Sequence, residues 1–63
     1  MKVNNICYYA FEVKSEVTGD IFNISSDFTI NIKKWCKETN CSIRKLVAKS
    51  SDRNYIRTIS HEI

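Results

Sequence analysis

Eight cations fall within residues 33–63: Lys33, Lys34, Lys37, Arg44, Lys45, Lys49, Arg53 and Arg57, against Glu38, Asp52 and Glu62. That half carries a balance of +5. Residues 1–32, with Lys2 and Lys14 against Glu12, Glu16, Asp20 and Asp27, carry −2. Ammonium and guanidinium groups suit phosphate oxygens, and both also reach the acceptor edge of guanine. The partner implied is a polyanion or an acidic protein groove.

Other chemistry is sparse. Cys7, Cys36, Cys41 and His61 match in number a zinc site of three thiolates and one imidazole. Their spacing does not: Cys36 and Cys41 are five residues apart, and His61 lies two residues from the last position. Three cysteines, an odd number, read as reduced thiols packed as small apolar groups, with no metal or other cofactor. There is one histidine, and no glycine-rich phosphate loop, H-E-x-x-H or G-x-S-x-G pattern. No enzyme is expected. In Tyr8-Tyr9, strand alternation sends one ring to the core and leaves the other to meet a base or a protein partner.

The elements that must position these groups follow from periodicity. Ile6 to Lys14 alternates as a strand, with Cys7, Tyr9, Phe11 and Val13 on the inner face. Thr18-Gly19-Asp20 holds the only glycine, at a turn. Asp20 to Ser25 pairs back as a second, antiparallel strand, with Phe22 and Ile24 inward. From Phe28 the period becomes helical: Phe28, Ile32, Trp35, Cys36 and Thr39 share one face. Ser25, Ser26 and Asp27 offer its cap, and Asn40 ends it in a left-handed conformation. Ser42 caps a second helix on which Ile43, Leu46 and Val47 recur at i, i+3 and i+4. Tyr55 to Ser60, β-branched and aromatic, reads as a strand returning to the sheet.

The predicted fold is one α+β domain over residues 1–63: an N-terminal hairpin, a helix-turn-helix-like pair and a C-terminal strand, β-β-α-α-β. Residues 42–48 also read as a strand with Ile43, Lys45 and Val47 on one side, giving β-β-α-β-β. The i, i+3, i+4 spacing favours the helix.

The stretch from Thr18-Gly19-Asp20-Ile21-Phe22 through Ser25-Ser26 to Trp35-Cys36-Lys37-Glu38-Thr39-Asn40-Cys41-Ser42 resembles the small DNA-binding modules appended to phage and intron homing endonucleases. Such modules join a hairpin with a Thr-Gly-acidic turn to a helix-turn-helix. The resemblance spans about residues 10–50. It departs at Asn40, where the module has glycine, and at Lys49, where it has an apolar residue. It implies duplex DNA contact through Arg44, Lys45 and Lys49, with Lys33, Lys34 and Lys37 near phosphates and no nuclease portion.

Length and composition bound the rest. A chain of 63 residues builds one small core, and its 43% apolar content argues for a folded domain. Asn, Ile and Lys supply 22 of the 63 residues, a bias common in AT-rich phage genomes. No run reaches the ~20 apolar residues of a membrane span, which points to the cytoplasm, the host's if the chain is phage-encoded. The expected function is a small phage-type DNA-binding protein. Its contacts are Lys33, Lys34, Lys37, Ser42, Arg44, Lys45, Lys49 and Arg53, and reading an operator would call for a homodimer. The alternative is a phage inhibitor of a host enzyme or defence complex, docking through Tyr8, Tyr9, Glu12, Glu16 and the basic face. Its target would be a CRISPR effector, a restriction system or RNA polymerase.

Overall fold

The computed structural model describes residues 6–63; Lys2, counted in the charge balance, lies outside them. The hairpin forms as expected. Strands β1 (Tyr8–Ser15) and β2 (Ile21–Ser26) pair antiparallel, with Tyr9 opposite Ser26 and Val13 opposite Phe22. The turn is closed by Ser15 N–H donating to the Asp20 carbonyl and Gly19 N–H to the Ser15 carbonyl, both at 2.8 Å. Gly19 sits at φ 82°, where a side chain would strain the backbone.

Helix α1 spans Thr29–Thr39 and buries Ile32 and Cys36. Phe28, expected on its apolar face, precedes the helix and is 58% exposed. The predicted cap does not form: Phe28 takes the N-cap position with no side-chain cap, and Ser26 Oγ accepts only from the Phe28 N–H before the helix. Asn40 ends α1 at φ 58°, ψ 50°, the left-handed stop anticipated from its residue type.

Two elements differ from the favoured reading. Residues Cys41–Ser50 are a strand, β3, not a helix. It pairs antiparallel with β1 on the side away from β2. The helical spacing of Ile43, Leu46 and Val47 has a strand explanation. Register shifts leave Arg44 and Val47 with no partner on β1, because Val13 pairs with Ile43, Glu12 with Lys45, Phe11 with Leu46 and Ala10 with Ala48. Each bulge inserts one residue, so a period of two is stretched into i, i+3. The cation-rich β3 is held by Glu12 of β1 and Glu16 of the turn, through Arg44 and Ser42, which the local pattern does not reveal.

The second correction is α2 (Arg53–Ile59), in place of the predicted strand at Tyr55 to Ser60. Asp52 caps it, its carboxylate accepting from the backbone N–H of Asn54 and Tyr55, and Ile56 is buried. The chain returns to the sheet only through β4 (His61–Glu62), parallel to β2.

The outcome is a four-stranded mixed sheet in the order β3-β1-β2-β4, with two helices. The helices lie on opposite faces. Trp35 of α1 meets Phe22 edge-on, while Asn23, the next residue of β2, donates to the Ile59 carbonyl of α2. Val13, Ile24, Ile32 and Cys36 form the core on the α1 side, with Tyr9, Phe11, Phe22, Trp35 and Cys41 packed around it. Ala10, predicted to face outward, is buried because α2 covers the other side together with Ile56. Among the described residues no helix is long and apolar enough to cross a membrane.

Candidate nucleic-acid interface

The α1 lysines stand where the sequence places them. Burying Ile32 and Cys36 turns Lys33, Lys34 and Lys37 outward, and all three are exposed. Trp35 marks the flank of α1 above β2. A rotation of about 100° per residue then sets Lys33 and Lys37 on the flank toward β3, with Lys34 and Ile30 on the outer ridge. Lys37 accordingly lines a cleft with Cys41, the first residue of β3, and with Glu16 and Val17 of the turn. No ion pair among the described residues engages these lysines.

The cations predicted for a reading helix are instead divided between the faces of β3. Residues paired across antiparallel strands share a face. Lys49, opposite Tyr9, lies on the α1 side with its Nζ 5.7 Å from the centre of the Tyr9 ring, a cation–π contact. Ser42 and Lys45, opposite Lys14 and Glu12, lie on the α2 side. Ser42 donates to Glu16, and Arg44 Nε donates to Glu12 at 2.9 Å. Arg53 opens α2, its guanidinium forked onto Glu62 by two bonds of 3.0 Å, and Arg57 lies 3.8 Å from the same carboxylate. The Arg53 hydrogen bond holds the Glu62 carboxyl below its ordinary range, aided by the charges of Arg53 and Arg57.

Each face therefore has its own electrostatic character. On the α2 side, the arginines are matched by Glu12 and Glu62. On the α1 side, Lys33, Lys34 and Lys37 make no ion pair among the described residues, with Glu16 sharing the cleft of Lys37 and Glu38 that of Lys34, and Lys49 rests on a ring. Between the lysines of α1 and Lys49 run Ile43 and Leu46, exposed by 38 and 49%, with Val47, 39% exposed, at the bulge next to Leu46. Leu46, expected on the shared face of a second helix, is half open to solvent.

The residues of the alternative docking surface are mostly engaged within the chain. Glu12 and Glu16 hold β3 through Arg44 and Ser42. Tyr8 and Tyr9 are both half-buried, on opposite faces of a sheet covered from both sides. The pairs Glu12–Arg44 and Tyr9–Lys49 were not readable from the chain, since each joins residues more than thirty positions apart. The cysteines do not gather. Cys36 is buried in the core, where burial first and Cys41 second push its thiol up, and no group of three or more metal-ligating side chains occurs among the described residues.

Comparison with protein-family models, curated proteins and solved structures finds no match to this chain.

Proposed function

We propose that this is a small nucleic-acid-binding protein whose contact surface is the α1 side, formed by Lys33, Lys34, Lys37 and Lys49. One observation carries the reading: Lys33, Lys34, Lys37 and Lys49 gather on one face and make no ion pair among the described residues, while the arginines of the opposite face are engaged by Glu12 and Glu62. Lysines without carboxylates retain their full attraction for phosphate. The expectation of a helix entering the major groove of a duplex rested on residues 42–49, which form β3.

Fluorescence anisotropy of labelled oligonucleotides tests the reading at about 50 and 200 mM salt, where phosphate contacts lose affinity steeply. Absence of binding at the lower salt would refute it. It would then favour docking of the same face on an acidic protein, as in the inhibitor alternative.

A further inference from the structure

We infer that the α1–β3 surface is built for single-stranded rather than duplex nucleic acid, an inference that rests on the nucleic-acid reading above. The observation is the strip between the two sets of cations. Lysines alone would satisfy a duplex, whose outer surface presents phosphates and whose bases are stacked inside. Here the floor between the lysines is apolar: Ile43 and Leu46 are each more than a third exposed, and the bulge residue Val47 beside them is equally open. Ile43 and Leu46 face the same side as Val13 and Phe11, their partners on β1, and so the side covered by α1. At the end of the strip stands Tyr9 with Lys49 over its ring.

A single strand offers what this floor lacks, unstacked base faces that lose contact with water on binding. Its backbone carries one charge per nucleotide. Lys33 and Lys37 lie about 6 Å apart along the α1 axis. The β3 strip from Ile43 to Lys49 runs about 20 Å. Cations therefore border an apolar track several nucleotides long.

A protein strand pairing with the outer edge of β3 fits less well. The two bulges and the cations Arg44, Lys45 and Lys49 are the devices that discourage edge pairing. Among the described residues, the clefts of about 450, 460 and 280 Å³ include none of Ile43, Leu46 and Val47, and the first reaches only Tyr9 at the end of the strip.

The test compares a labelled 15-nucleotide thymidine strand with a 15-base-pair duplex by anisotropy at about 50 and 200 mM salt, the range over which phosphate contacts weaken. Tighter binding of the single strand is expected. The double variant Ile43→Thr with Leu46→Thr should weaken it about tenfold while leaving duplex affinity unchanged, because only apolar area is removed. Threonine keeps strand preference, and circular dichroism checks the fold. Amide shifts in the unmodified protein provide a readout independent of the variant: thymidine should move Ile43, Leu46, Val47 and Lys49.

Equal or tighter duplex binding overturns the inference and leaves the nucleic-acid reading standing. So do shifts confined to α1. Binding of neither oligonucleotide overturns both. In that case a twelve-residue Glu/Leu peptide shifting the same strip would identify a protein-docking face.

Discussion

Replacing Lys33, Lys34 and Lys37 together by glutamine should nearly abolish the salt dependence of binding. Each lysine on a phosphate of a single strand contributes about −0.7 to the slope of log affinity against log salt. With Lys49, four such lysines on the α1 side give a slope of about −2.8. A fourfold rise in salt, from about 50 to 200 mM, then costs the unmodified protein about 50-fold in affinity. The triple variant retains only Lys49, so its slope falls to about −0.7 and its loss to about threefold. The control is Lys14→Gln, Lys45→Gln and Arg57→Gln, which removes the same three charges from the α2 side. Both variants bring the net charge from +3 to zero. The three α1 lysines are exposed and make no ion pair among the described residues, so the fold should tolerate their loss within about 0.5 kcal/mol per site. Anisotropy titrations at several salt concentrations measure the slopes. A control variant whose slope falls as far as that of the α1 variant would show that net charge, not its placement, governs binding, and would refute the assignment of the surface.

Further outcomes test the fold that holds this surface. Ile32→Ala should cost about 2–5 kcal/mol, enough to unfold much of so small a domain, because Ile32 is wholly buried. Ile30→Ala, at a position 71% exposed, should change urea stability by less than about 0.5 kcal/mol. Equal effects would mean that α1 is rotated. Asp52→Ala removes the acceptor for two N–H groups of α2 and should lower stability by about 1 kcal/mol, a melting shift of roughly 4–8 °C, with Asp52→Asn retaining most of it. Glu62 has a lowered folded pKa, so the stability it contributes is present above the ordinary glutamate range and is lost as pH falls through the lowered value. Thermal melts from neutral to acid pH should therefore show a shallower acid loss in Glu62→Gln, and unchanged acid sensitivity would remove Glu62 from the account.

The hairpin and α1 were legible because their signals are local. Alternation from Tyr9 to Val13, a glycine at the turn, and Ile32 and Cys36 one helical turn apart each need only neighbouring residues to be read. Asn40 marks the end of α1 for the same reason. Beyond Asn40 the favoured local reading pointed the wrong way, and of the two readings of residues 42–48 the strand is the one that forms. Ile43, Leu46 and Val47 carry helical spacing, and Tyr55 to Ser60 carries strand-forming residues. The first is overridden by pairing with β1 through two bulges, the second by the Asp52 cap and the burial of Ile56. In the candidate interface, Lys33, Lys34 and Lys37 were identified and placed. Arg44, Lys45 and Arg53 were expected to share a face with those lysines, from which their strand register or carboxylate partners separate them.

The amino-acid sequence by itself determined a small α+β domain, a hairpin, one amphipathic helix and an excess of positive charge after residue 32, all consequences of composition and short-range period. Tertiary structure alone decided where that charge is free. A cation's availability depends on whether a carboxylate lies within a few ångströms, and Glu12–Arg44 and Glu62–Arg53 are brought together only when β3 and β4 enter the sheet. The cations first seen as one basic half of the chain are divided in the folded molecule between two faces of one sheet.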